Sequence, residues 1–104
     1  MKIVLSIITI NYNNLGGLMT TVSSVKNQTW QKFEYIIIDG GSIDGSKEYI
    51  ESQIQFLDTW VSEKDSGIYN AMNKGIAYAQ GDFVLFLNSG DTLSSKIHSL
   101  DFMK

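Results

Sequence analysis

The sequence predicts an α/β domain built on a parallel, Rossmann-like sheet with helices on both faces. Short apolar runs rich in β-branched residues alternate with segments of helical spacing, in the order β-α-β-α-β-α-β-α. Right-handed crossovers between successive strands make such a sheet parallel. The 104 residues show no linker and no internal repeat, so we expect residues 1–104 to form one domain.

Four apolar runs predict the strands. The first spans residues 3–10 and is apolar on nearly every position, as in a strand covered on both faces. The others span residues 33–38, 57–62 and 83–87. A signal peptide is a weaker interpretation of the first run, because polar residues follow it where a small-residue cleavage site would stand.

Helical spacing predicts two helices in the first half of the chain. Asn14 can cap the first, whose apolar face comprises Leu15, Leu18, Met19, Val22 and Val25. The second begins at Asp44 or Ser46 and carries Tyr49, Ile50 and Ile54.

Two more helices are predicted in the second half. The third carries an inward stripe of Ile68, Met72, Gly75, Ile76 and Ala79, and Gly81 ends it. Ser94 or Ser95 can cap the fourth, which turns Ile97, Leu100 and Met103 inward.

Composition excludes several kinds of site. The net charge of −3 argues against a surface that tracks nucleic-acid phosphates. The absence of cysteine excludes disulfides, thiolate zinc sites and cysteine nucleophiles. No apolar run approaches the ~20 residues of a membrane span, so we expect a soluble, cytoplasmic protein. An anionic ligand would have to be held locally, by backbone amides or a bridging cation.

Polar segments directly follow all four predicted strands. They are residues 9–13, 39–42, 62–67 and 88–91. Ligands of parallel α/β sheets bind outside the carboxyl ends of the strands, at the point where the strand order reverses. The convergence of the four segments therefore predicts a binding site at this edge of the sheet.

Two of these segments offer groups for a phosphorylated ligand. Asp39 is followed by two glycines that allow close backbone approach, although an aspartate in an Asx-turn explains the same residues. Neither the dinucleotide-binding motif G-x-G-x-x-G after the first strand nor the phosphate-binding motif G-x-x-x-x-G-K-[ST] is present. Asp91 at the end of the fourth strand could hold Mg²⁺ or Mn²⁺ together with substrate phosphates, although Asn-Ser-Gly-Asp is also an ordinary turn sequence.

Other residues of these segments keep two interpretations each. Tyr12 either stacks on a nucleobase or is a half-buried core aromatic, and Asp65 either faces the ligand or caps the third helix. Lys64 and Lys74 are interpreted as solvated charges. His98, the one histidine, is interpreted as a surface residue.

Taken together, the segments resemble glycosyltransferase family 2, whose members are inverting enzymes of GT-A fold. The matching segments are SIITINYN (6–13), NQT (27–29), EYIIIDGGSIDGS (34–46), SEKDSGIYNAMNKGI (62–76) and GDFVLFLNSGD (81–91). Their order and spacing, more than any single segment, carry the resemblance.

The resemblance implies transfer of a sugar from a nucleotide-diphosphate donor, with a UDP-sugar favoured, to a glycan or lipid-linked acceptor in surface polysaccharide synthesis. The implied nucleotide-binding residues are Thr9, Ile10, Tyr12, Asp39, Asp65 and Asn88. Asp91 is the implied ligand of Mn²⁺ or Mg²⁺. Asn88 and Gly90 depart from the family motif, where acids are common, and Ile10 and Asn11 replace a common Pro-Thr.

The resemblance also implies a longer catalytic domain. The general base and acceptor site are expected beyond Lys104, so we expect the 104-residue chain to be inactive. We also expect it to self-associate, by pairing through an open edge at residues 84–87 or by exchanging its last helix. A peripheral location at the inner face of the plasma membrane is a further expectation. One alternative is a non-catalytic nucleotide-sugar-binding module. A less well supported alternative is a nucleotidyltransferase-type fold, which requires a basic glycine-rich loop after the first strand, and this sequence has none there.

Overall fold

The computed structural model describes residues 3–93 and confirms the α/β class. The strands are β1 (Leu5–Asn11), β2 (Phe33–Asp39), β3 (Thr59–Ser62) and β4 (Phe83–Asn88); the helices are α1 (Leu15–Lys26), α2 (Ser46–Ser52) and α3 (Ile68–Tyr78). All strand pairs are parallel, in the order β3-β2-β1-β4. The predicted fourth helix and His98 lie outside the described residues.

The two faces of the sheet are covered by different helices. On one face, Val22 of α1 and Ile50 of α2 pack in a cluster with Ile7 of β1. On the other, Ala71 of α3 packs with Ile8. Because side chains alternate along a strand, odd-numbered residues of β1 face α1 and α2, whereas even-numbered residues face α3.

Helix α3 lies on the sheet through a small residue. A Cβ atom at Gly75 would lie 2.6 Å from the buried Ile8 Cγ2, so glycine is what permits this approach. The predicted inward stripe is partly wrong, because Ile68 and Ile76 are 50% and 49% exposed. Helical spacing identifies one face of a helix but not how much of that face the sheet covers.

Two further expectations are corrected at the edges of the sheet. Helix α2 ends at Ser52, so Ile54 lies beyond it and is exposed. Strand β4 pairs with β1 alone among the described strands, as expected of an edge, but Leu87 is buried and the exposed apolar side chains of β4 are Phe83 and Val84. Within residues 3–93, no helix is long and apolar enough to cross a membrane.

Candidate functional site

A cleft of about 510 Å³ opens at the carboxyl ends of the strands, beside the N-terminal end of α3. Its lining residues are Ile10, Asn11, Tyr12, Asn14, Gly40, Lys64, Asp65, Gly67, Ile68, Ala71, Asn88 and Ser89. All four polar segments that follow strands contribute to this lining, as the strand-end rule predicts. The volume falls within the range of about 300–1,000 Å³ typical of small-molecule sites.

Asp39 is buried behind the cleft, and the protein itself uses its carboxylate. Oδ1 accepts hydrogen bonds from Asn11 Nδ2 at 2.8 Å and Ser42 Oγ at 2.6 Å. Oδ2 accepts from Ser62 Oγ at 2.8 Å and from the backbone N–H groups of Ser42 and Gly41 at 2.9 and 3.2 Å. Burial acts to raise the pKa of Asp39, but these bonds outweigh it and hold the pKa below the ordinary 3.8.

This arrangement gives Asp39 a structural role within the protein. Five donors surround its carboxylate, three of them side-chain groups of Asn11, Ser42 and Ser62. Asp39 is absent from the lining of the cleft, and its binding of a base or a ribose stays a prediction. Its carboxylate fixes the loop that places Gly40 at the cleft surface.

Tyr12, Gly40 and Asp65 come together on one wall of the cleft. The Tyr12 side chain is 65% exposed. A Cβ atom at Gly40 would lie 3.3 Å from Tyr12 Cδ1 and 3.1 Å from Asp65 Oδ2, so a side chain there would crowd the space between them. Asp65 Oδ1 accepts the N–H of Gly67 at 3.1 Å. This wall therefore offers an accessible aromatic face beside a carboxylate oxygen.

The turn after β4 forms the opposite wall. Asn88 and Ser89 line the cleft, while Asp91 lies outside the lining. Asp91 Oδ2 accepts the backbone N–H of Asn88 at 3.0 Å, and the Thr21 hydroxyl of α1 donates to the Asp91 carbonyl at 2.6 Å. Gly90, with φ of 103°, donates its N–H to Thr21 Oγ1 at 3.0 Å. The turn is thus anchored on α1.

The described residues do not build a metal cage of their own. No group of three His, Cys, Asp or Glu side chains in residues 3–93 is placed to share an ion. Asp91 is exposed and uses one carboxylate oxygen within the turn. That donor fits Mg²⁺ or Mn²⁺ only in the arrangement where one carboxylate holds the ion and phosphate oxygens supply much of the rest.

Most of the expected nucleotide-binding residues line the cleft. Ile10, Tyr12, Asp65 and Asn88 line the cleft. Thr9 is not in this lining, because it is buried and its hydroxyl lies 2.7 Å from the Tyr35 hydroxyl. Its odd-numbered position in β1 turns its side chain toward the face that α1 and α2 cover, and its expected contact with the nucleotide stays a prediction.

Four lining residues with polar side chains were not among the expected ligands: Asn11, Asn14, Lys64 and Ser89. Asn14 Oδ1 also caps α1, accepting the Gly17 N–H at 3.1 Å, as predicted. Lys64, interpreted from sequence as a solvated charge, is the one cationic side chain in the described lining. Lys74 pairs with Glu63 at 3.2 Å. Apart from Asn14, these lining residues lie in segments already marked by their position after strands.

Comparison with known proteins gives consistent matches. The model of the family described as Glycosyl transferase family 2 matches residues 6–97. An uncharacterized glycosyltransferase of Mycobacterium tuberculosis is 47% identical over 90 residues, which cover 86% of this chain and 34% of the relative. A putative teichuronic acid biosynthesis glycosyltransferase of Bacillus subtilis, TuaG, is 36% identical, with coverage of 86% and 37%. The chain thus spans about a third of the length of these relatives.

A solved structure matches both the fold and the sequence. The crystal structure of Staphylococcus aureus TarS 1–349 in complex with UDP superposes with a TM-score of 0.79 at 28% identity. The match covers 92% of this chain and 29% of that chain. The sheet and its helices therefore share the fold of that UDP-bound protein.

Proposed function

Because this chain belongs to glycosyl transferase family 2, we propose that its cleft binds the nucleotide diphosphate of an activated sugar and that the whole protein transfers that sugar. A UDP-sugar is the favoured donor, since the TarS structure holds UDP. Transfer with inversion, to a glycan or lipid-linked acceptor of surface polysaccharide synthesis, is the finer form of the proposal. TuaG supports that form by its name alone.

The observation that carries the proposal is the pairing of an exposed aromatic ring with a helix N-terminus in one cleft. Tyr12 offers a face for a planar base, and the nearby Asp65 carboxylate can accept a hydrogen bond from base or ribose. Gly67 and Ile68 bring the N-terminal end of α3 to the same cleft, where the Asp65 carboxylate accepts the Gly67 N–H. That end carries partial positive charge, which favours phosphate.

The phosphate charge calls for a cation besides Lys64. We propose that Asp91 holds Mn²⁺ or Mg²⁺ against the diphosphate, and that Asn88 orients that end of the ligand through its side chain. When bound, such an ion acts as a Lewis acid that stabilises the diphosphate leaving group. Asp39 holds the Gly40 loop in place. The general base, expected beyond Lys104, and the peripheral membrane location stay predictions.

A metal-dependent affinity for UDP tests this proposal. We expect UDP to bind more tightly with Mn²⁺ than with EDTA, by about tenfold. Asp91→Ala should remove that difference while leaving the affinity in EDTA unchanged. The matched control is Glu51→Ala, which removes an exposed carboxylate of α2 outside the cleft lining. Isothermal titration calorimetry of the three proteins makes the measurement.

Two outcomes would count against the proposal. Absence of UDP binding under both conditions would reject the nucleotide site itself. Equal affinities with Mn²⁺ and EDTA in the wild-type chain would reject the metal and leave the nucleotide site standing. A non-catalytic nucleotide-sugar-binding module would use the same cleft. The transferase is favoured because the matching relatives are named glycosyltransferases.

A further inference from the structure

Asn11 is the last residue of β1 and contacts two different loops. Its Cα pairs in register with Asp39 of β2, and its side chain is buried between the β2 loop and the turn after β4. Nδ2 donates to Asp39 Oδ1 at 2.8 Å. Oδ1 accepts the Ser89 hydroxyl at 2.6 Å. One amide therefore joins the two loops that carry opposite walls of the cleft.

The chemistry of the amide fixes its direction. The Asp39 carboxylate can only accept, so the Asn11 NH₂ must face it and the carbonyl must face Ser89. The backbone reinforces this link: Gly40 N–H donates to the Asn11 carbonyl at 3.0 Å, and Ser89 N–H donates to the Ile10 carbonyl at 3.0 Å. A side chain with a donor on one side and an acceptor on the other is required at this position.

We propose that Asn11 is a positioning residue that sets the spacing between the Gly40 loop and the Asn88–Asp91 turn, and thereby the width of the nucleotide cleft. The proposal rests on the proposed function in assigning a nucleotide to the cleft. The link itself is independent of any ligand. The Asn11 side chain donates a hydrogen bond to Asp39 on one side and accepts one from Ser89 on the other. A ligand therefore binds between two walls that are already held at a fixed distance.

Asn11→Asp tests the link, because its effect depends on a proton. The new carboxylate would lie beside Asp39, and two adjacent carboxylates share a proton with one raised pKa. When protonated, Asp at position 11 donates its O–H to Asp39 and accepts from Ser89, as the amide does. Unprotonated, it repels Asp39. The other ionisable side chains of the described cleft lining are Tyr12, Lys64 and Asp65, and Asp91 lies on the turn.

The ligand-free experiment follows the free energy of unfolding and the amide spectrum of Asn11→Asp against pH. A raised folded-state pKa gives stability at low pH that is lost as pH rises. We therefore expect a stability deficit against wild type at about pH 7 that shrinks toward about pH 5. The amide resonances of Gly41, which donates to Asp39, and of Ser89, on the turn after β4, should move together with one midpoint.

The matched control is Asn13→Asp, which adds the same charge at the same strand end outside this link. Asn13 Oδ1 accepts the Ile43 N–H at 2.8 Å, which an aspartate can still do, and its φ of 46° suits either residue. This variant should show no deficit that acid removes. Equal pH profiles for the two variants, or movement of Gly41 without Ser89, would overturn the proposal.

The second arm measures affinity for UDP. We expect Asn11→Asp to bind UDP about tenfold more weakly than Asn13→Asp at about pH 7, with the ratio approaching one toward about pH 5. A constant ratio would overturn the proposal. Failure of wild type to bind UDP would reject the proposed function, and the ligand-free series would still decide the role of Asn11.

If the Asn11→Asp variant does not fold at neutral pH, the UDP measurement uses Ser89→Ala instead. That variant should lower UDP affinity about threefold, and an unchanged affinity would overturn the proposal.

Discussion

Replacing Asp39 with alanine is expected to lower the free energy of unfolding by about 3–5 kcal/mol. The carboxylate is buried and accepts five hydrogen bonds, two from backbone N–H groups and three from the side chains of Asn11, Ser42 and Ser62. Its removal leaves these donors without an acceptor in a buried setting. Urea denaturation of the two proteins measures the loss.

The control for Asp39 is Glu51→Ala, which we expect to change stability by less than about 0.5 kcal/mol. A second signature is the pH dependence. The pKa of Asp39 is lowered by folding, so its contribution is present above pH 3.8 and is lost as pH falls through the lowered value. The pKa of Asp44 is also lowered, chiefly by its hydrogen bond from the Ser46 hydroxyl, so Asp44 too contributes to the loss of stability in acid. The wild-type minus Asp39→Ala difference therefore isolates Asp39. A difference that does not shrink in acid would contradict this account of the loop.

Gly75→Ala is expected to destabilise the chain by about 2 kcal/mol, against the usual helix preference for alanine. The new methyl group would lie 2.6 Å from Ile8 Cγ2, and Ile8 is fully buried in β1. Either α3 moves away from the sheet or Ile8 is strained. Because Gly67 and Ile68 of the α3 end line the cleft, UDP affinity should fall as well.

The same substitution in another helix provides the control for Gly75. A Cβ atom at Gly16 of α1 would meet nothing within 4 Å, so Gly16→Ala should stabilise the chain by about 0.5–1 kcal/mol. The opposite signs expected for Gly75→Ala and Gly16→Ala therefore separate the steric contact with Ile8 from the helix propensity of alanine. In an Ile8→Ala background the cost of Gly75→Ala should disappear, a non-additivity that thermal denaturation can detect. An unchanged cost there would place the strain elsewhere.

The sheet could be predicted from sequence because its strands are covered on both faces and therefore read as continuous apolar runs. The crossover rule then fixed the direction of the strands. The coverage of α3 could not be predicted, since helical spacing treats Ile68, Ile76 and Gly75 alike. Only the tertiary approach of Gly75 to β1 decides that Gly75 is buried and the two isoleucines are half exposed.

The place of the site was predictable from the strand-end rule, whereas the direction of individual side chains was less so. The direction of the Thr9 side chain could have been predicted from strand parity, since it shares the face of Ile7 in the α1–α2 cluster. The hydrogen bonds that the Asp39 carboxylate accepts could not be predicted, because its partners include Asn11 from β1 and Ser62 from β3. Those contacts exist only after the sheet has assembled.

The most direct test of the account is a titration of the ¹⁵N-labelled chain with UDP and the diamagnetic ion Mg²⁺, followed by amide chemical shifts. We predict saturable shifts confined to the cleft, at Tyr12, Gly40, Asp65 and Ser89, with affinity about tenfold weaker in Tyr12→Ala through lost stacking. Tyr69→Ala, which removes an 80% exposed ring outside the cleft lining, should bind UDP as wild type does. Saturable shifts that avoid these residues, or none at all, would contradict the assignment of the cleft as the nucleotide site.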